Sequence, residues 1–97
     1  MSYTRRQLLH QATEKERLAA AFEKYAKSLE EVFADIPTTP EASAGIWIGP
    51  AAERYTGRAH RMKGDLKELR EDCTATAARL RERASRLREE AARVPDS

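Results

Sequence analysis

The sequence is poor in the residues that interrupt helices or crosslink small folds. It has 4 glycines, 4 prolines and a single cysteine, Cys73, among 97 residues. One cysteine forms no internal disulfide, so the chain is not a disulfide-stabilised scaffold, and we expect Cys73 to be a small buried side chain. The low glycine and proline content excludes collagen-like and low-complexity chains.

Long apolar runs are also missing. No stretch is apolar enough to form a transmembrane helix, so we expect no insertion into a membrane. The first ten residues lead into charged residues without the apolar core that a Sec-type signal peptide needs. If the protein leaves the cell, we therefore expect a route that does not depend on a signal peptide.

The residue sets of common catalytic and metal sites are absent. The only histidines, His10 and His60, fall near opposite ends of a helical hairpin, and Cys73 has no histidine at helical spacing. There is no glycine-rich phosphate loop and no zinc-ligand spacing. We expect no enzyme activity, no catalytic residue, no cofactor and no metal. Basic residues are interleaved with acidic ones at a net charge of +2, so we expect no nucleic-acid binding either.

Apolar residues of the first half recur at alternating steps of three and four. This spacing is typical of one stripe along an amphipathic helix with a seven-residue repeat. We predict a helix over about 5–36 that ends before Pro37, because proline disfavours helical backbone in the residue before it. The predicted interface residues are Leu18, Phe22, Tyr25, Leu29, Val32 and Ile36. Gln11 and Lys15 interrupt the stripe, so we expect the first turns to fray or to lie at an exposed end.

The second half predicts a longer helix over about 50–92, after a connection over 37–49. Pro50 suits the first turn of a helix because its missing N–H has no partner there anyway. The length difference predicts an overhang at the arginine-rich C-terminal end, either frayed or bound by a partner. The predicted interface residues are Tyr55, Met62, Leu66, Leu69, Cys73 and Leu80.

Together these patterns predict a single all-α domain, an antiparallel helix-turn-helix hairpin. Two helices bury only one stripe each and leave flanking apolar surface in water. Chains of this kind usually build a core by association, so we expect dimerisation into a four-helix bundle.

The connection holds the only tryptophan, Trp47, two residues before Gly49, and Pro50-Ala51-Ala52 follows. Gly49 permits a tight turn into the helix, and Tyr55 lies about one turn further on. A Trp-x-Gly between two long amphipathic helices in a chain of this length resembles the WxG family of bacterial type VII (ESX) secretion proteins, the early-secretory-antigenic-target-like proteins.

The resemblance implies a function based on protein–protein binding. Members of that family form helical hairpins, pair into four-helix bundles and are exported folded from the cytoplasm by a type VII secretion ATPase. The Trp-x-Gly of one subunit lies beside the C-terminal tail of its partner, which carries Tyr-x-x-x-Asp/Glu. On this chain the implied export and partner-recognition loop comprises Trp47, Gly49, Pro50 and Tyr55.

The tail half of that signal is missing here. None of the three tyrosines is followed by Asp or Glu four residues later. This favours a heterodimer over a homodimer, with a WxG-like protein or the helical N-terminal domain of a larger effector as partner. The chain is then a co-secreted substrate or a targeting chaperone. The alternative is a cytoplasmic helical adaptor or antitoxin-like chaperone that is not exported.

Overall fold

Two long helices form an antiparallel hairpin. The computed structural model describes residues 3–35 and 49–95, apart from the side chain of Ala52. Helix α1 is Arg5–Asp35 and helix α2 is Pro50–Arg93, with no strand among the described residues. The molecule is a rod with extents of 73 × 18 × 14 Å. The predicted all-α hairpin is thus confirmed.

A capping box fixes the start of α1. The backbone N–H of Thr4 donates to Oε1 of Gln7 at 2.8 Å, and the N–H of Gln7 donates to Oγ1 of Thr4 at 3.1 Å. These reciprocal bonds satisfy two of the amide groups that a helix N-terminus leaves without partners. The first turn is therefore ordered by its own sequence, Thr-x-x-Gln, a signal that the reading of the apolar stripe alone overlooks.

The start of α2 follows the predicted proline rule. Pro50 occupies the first turn, and Gly49 before it has a φ of 78°. Side chains other than glycine rarely adopt this backbone conformation, so Gly49 serves the turn into the helix. The helix ends at Arg93, where the N–H of Val94 donates to the carbonyl of Ala91. Ile36 and Trp47, with most of the predicted connection, lie outside the described residues.

The inner surface of the hairpin is built on alanine. With heptad positions a and d facing the opposite helix, three successive a positions of each helix are alanines that are at most 7% exposed. A side chain this small lets two helices approach closely, towards the lower end of the usual ~8–10 Å range. Larger residues at d fill the layers between them. The alanines are Ala12, Ala19 and Ala26 in α1 and Ala77, Ala84 and Ala91 in α2.

The alanine seam divides the predicted interface residues, which were assigned to the hairpin or to a dimer, into two groups. Of the predicted residues, Phe22, Leu29, Leu66, Cys73 and Leu80 do lie on the inner side, buried or half-buried. The other six described ones are at least 40% exposed, because they occupy heptad position g, one residue before a. The predicted stripe combined residues at heptad positions d and g, where the large apolar side chains lie. It did not include position a, where the residues are small or polar.

The register of the hairpin corrects the predicted overhang. Arg88 of α2 pairs with Glu16 of α1, and Leu8 is only 1% exposed at the end where α2 finishes. The first turns of α1 are therefore packed rather than frayed, and the C-terminal half of α2 is paired along its length. Phe33, near the end of α1, contacts Lys63 and Arg70. It is the first turns of α2, over about 50–61, that extend past α1.

Two cations occupy a positions at this end of the hairpin. Lys63 Nζ lies 4.6 Å from the centre of the Phe33 ring, and the Arg70 guanidinium lies 5.7 Å from it. A cation over an aromatic face is attracted by the ring electrons, while its aliphatic stem covers apolar surface. This explains why charged residues are tolerated at heptad position a in this part of the hairpin.

Candidate partner-binding surface

One side of the hairpin exposes large apolar side chains in two rows. Leu18, Tyr25 and Val32 of α1 are 50%, 51% and 50% exposed. On α2, Tyr55, Met62 and Leu69 are 40%, 54% and 42% exposed. Within each row the residues are seven apart, so each row follows one face of its helix. We call these six residues the apolar flank.

The two rows belong to the same side of the hairpin. All six residues occupy position g, and in an antiparallel helix pair the g positions of both helices border the same edge of the seam. Position e borders the other edge. Exposed apolar surface concentrated on one side of a small protein typically marks an interaction site. The apolar flank is therefore the candidate functional site.

The opposite edge, which we call the ion-paired flank, is closed by salt bridges between e positions. Nε of Arg81 donates to Glu23 at 2.9 Å, and Nε of Arg88 donates to Glu16 at 3.0 Å. Each guanidinium makes a second bond to the same carboxylate through Nη2. The two pairs are one heptad apart on both helices. This bidentate geometry fixes the antiparallel register more than it adds stability, since exposed ion pairs contribute little.

These contacts shift the ionisation of all four groups. The hydrogen bond from Arg88 lowers the pKa of Glu16, and the hydrogen bond from Arg81 lowers the pKa of Glu23, both from an ordinary value of 4.5. Conversely, the carboxylates raise the pKa of each arginine. The charged forms are therefore favoured in the folded hairpin.

The ion-paired flank predicts acid sensitivity. Because folding lowers the two glutamate pKa values, their contribution to stability is present above the ordinary value of 4.5 and is lost as the pH falls through the lowered values. We expect Glu16→Gln/Glu23→Gln to reduce the drop in thermal midpoint between about pH 6 and about pH 3. Circular dichroism melts would measure it. The same drop in this variant and in the control Glu89→Gln/Glu90→Gln would contradict the prediction.

The predicted recognition loop is only partly described. Pro50 lines a shallow cleft of about 490 Å³ on the outer side of α2 together with Glu53, Arg54, Gly57, Arg58 and Arg61. Tyr55 lies on the apolar flank, one turn into α2, and Gly49 forms the turn before the helix. Trp47 lies outside the described residues, so its place beside Gly49 stays a prediction.

The described residues that could act as nucleophiles or metal ligands do not form a cluster. Cys73 is buried at 5% exposure next to Ala26 and Leu29, as expected of a small core side chain. Within residues 3–35 and 49–95, no group of three or more His, Cys, Asp or Glu side chains is placed to hold a metal ion. Neither helix is both long and apolar enough, over the part described, to cross a membrane.

Comparison with known proteins adds no relative. No family model, no curated protein and no solved structure matches this chain.

Proposed function

We propose that this protein is a small helical WxG-type partner protein of a bacterial type VII secretion system. It acts by binding another helical protein, as a co-secreted substrate or as the targeting chaperone of an effector. The observation that carries the proposal is the apolar flank on a hairpin whose own seam is already complete. The secretion context comes from the resemblance of residues 47–50 to the Trp-x-Gly turn.

The surface of the single chain supports association. A monomeric protein of 11.0 kDa is expected to expose roughly 5,600 Å². This chain exposes 7488 Å². Its radius of gyration is 21.6 Å, against ~12–13 Å for a compact domain of this length. The excess, roughly 1,900 Å², is more than the ~800 Å² that each partner of a standard protein–protein interface buries, so the rod has room for a partner.

The heptad pattern supports a helical partner. Helix α1 has apolar residues at d and g in addition to the alanines at a, so its apolar face is wider than one seam needs. Helix α2 has its apolar g residues in its first half, before its alanines at a. A helix with a face this wide usually contacts two neighbours, as in a four-helix bundle. A second helical hairpin placed on the apolar flank would supply the missing neighbours.

The export part of the proposal assigns Trp47 and Gly49 to one half of a composite signal. The partner, or the effector that this chain accompanies, supplies the Tyr-x-x-x-Asp/Glu half, which this sequence lacks. The secretion ATPase would read the two halves together. Gly49 with its positive φ and Pro50 in the first turn form the kind of tight entry into α2 that such a loop needs.

The test is export of tagged full-length protein from a bacterium that has a type VII system. We expect Trp47→Ala to lower the amount in the medium at least ~10-fold while its cytosolic level and helical content stay unchanged, because the exchange removes a recognition surface rather than core packing. Tyr3→Ala, at an aromatic residue that is 55% exposed, is the matched control.

Two results would reject the proposal. One is export of Trp47→Ala at the level of the unaltered protein. The other is an unaltered protein that stays in the cytosol of a secreting culture while co-purifying with a helical protein. That second result would establish the alternative, a cytoplasmic adaptor or antitoxin-like chaperone.

A further inference from the structure

The outer side of α2 separates its charges into two blocks. Three arginines, Arg54, Arg58 and Arg61, are followed on the same side of the helix by three acids, and all six are exposed. At about 100° per residue these six positions fall within one third of the helix circumference. Lys67, whose charge would break the pattern, lies on the other side. The acids are Asp65, Glu68 and Asp72.

Neither block is neutralised by an ion pair among the residues that the structure describes, although other arginines of α2 form such pairs. Within the blocks, Arg54 and Arg58 are four residues apart, as are Glu68 and Asp72. Like charges at this spacing destabilise an isolated helix by about 0.2–0.5 kcal/mol per pair. The arrangement is unfavourable for one chain by itself.

The same blocks are complementary to a second copy in the reverse direction. When two α2 helices lie antiparallel with their midpoint at position 63, next to Met62, Arg54 faces Asp72, Arg58 faces Glu68 and Arg61 faces Asp65. The reciprocal pairs form on the other side of the midpoint. A surface that matches itself under a two-fold rotation produces a closed dimer and no filament.

The apolar side chains of α2 have nearly the same symmetry, centred one residue away. Tyr55 and Leu69 are equidistant in sequence from Met62, and all three are at least 40% exposed. In the antiparallel arrangement Met62 lies beside its own copy, and Tyr55 lies beside Leu69. The contact thus has an apolar centre bordered by charged pairs, as protein interfaces typically have. Part of it lies on the segment of α2 that extends past α1.

We propose that the α2 row of the apolar flank binds a second copy of this chain, through an antiparallel contact between the two α2 helices with a two-fold axis near Met62. The inference rests on the proposed binding role of that flank, but not on export. It replaces the preference for a heterodimer, which came from the missing tail motif, with a choice made by the charge pattern. The Tyr-x-x-x-Asp/Glu half of the export signal is then left to the effector.

The experiment is sedimentation equilibrium of the full chain with two block-reversed variants. Arg58→Glu/Arg61→Glu makes the face wholly acidic except for Arg54, and Asp65→Lys/Glu68→Lys makes it basic except for Asp72. We expect the unaltered chain to have twice its 11.0 kDa mass. Each variant alone should associate at least ~10-fold more weakly, and a 1:1 mixture should recover the dimer. Lys67→Glu, on the other side of α2, is the control and should not affect the mass.

Either of two results overturns the inference: an unaltered chain that is monomeric at tens of micromolar in low salt, or a mixture that associates no better than its components. Circular dichroism of each variant shows whether the helices persist, and recovery on mixing excludes misfolding as the cause of the loss. If the chain is monomeric but is still exported with another helical protein, only the inference of self-association is rejected. If the chain is dimeric but is never exported, only the proposed role in secretion is rejected.

Discussion

Leu8→Ala is expected to lower the free energy of unfolding by about 2–5 kcal/mol. Among the described residues, Leu8 is the largest side chain that is fully buried, at 1% exposure, and it lies where the first turns of α1 meet the last turns of α2. Truncation removes its apolar contacts and leaves a cavity that two helices cannot close without shifting. Urea unfolding followed by circular dichroism, at several protein concentrations, measures the loss.

The control for this prediction is the same exchange at Leu18, which is 50% exposed. In the single hairpin, Leu18→Ala should cost less than about 1 kcal/mol, because half of its surface remains exposed to water. Leu18 belongs to the stripe that the sequence predicted as the interface, whereas Leu8 does not. A larger loss at Leu18 than at Leu8 in dilute protein would therefore reject the alanine seam in favour of the predicted stripe.

Ala19→Leu is expected to destabilise the hairpin by about 1–3 kcal/mol through overpacking. Ala19 is 0% exposed at an a position, and the alanines on both helices leave no room for a larger side chain. The helices must separate along several turns to admit it. For a chain of this size, each kcal/mol corresponds to about 4–8 °C, so the thermal midpoint should fall by on the order of 10 °C.

Ala20→Leu separates packing from helix propensity. Ala20 is the next residue along α1 and is exposed, and leucine forms helices almost as well as alanine does. This variant should melt within a few degrees of the unaltered protein. Equal midpoints for Ala19→Leu and Ala20→Leu would show that the two helices do not approach closely at Ala19.

The elements themselves were predictable because their signals are local. Pro50 begins α2 as proline rules require, and the apolar spacing predicted two helices within a residue or two of their described ends. The order of the first turn of α1 was also readable, from the capping pair Thr4 and Gln7, but the interruption of the stripe at Lys15 directed attention away from it.

The sequence identified the residues of the candidate site, but it did not show whether they face the other helix or solvent. Leu18, Tyr25, Val32, Tyr55, Met62 and Leu69 were singled out as interface residues of the hairpin or of a dimer. In the hairpin they are exposed, so they are available to a partner. Sequence alone could not separate these two roles, since Phe22 and Leu29 satisfy the three-four spacing of both the inner seam and the flanking row.

The sequence by itself determined the helical class, the two helices and the antiparallel hairpin, because helix propensity, capping and proline act within a few residues. Only the tertiary structure decided which face of each helix packs inward and which end of α2 extends past α1. Alanine contributes little apolar surface to a sequence pattern, yet its small size governs how closely helices approach. The pairing of Arg81 with Glu23, and of Arg88 with Glu16, then fixed the register between residues more than fifty positions apart.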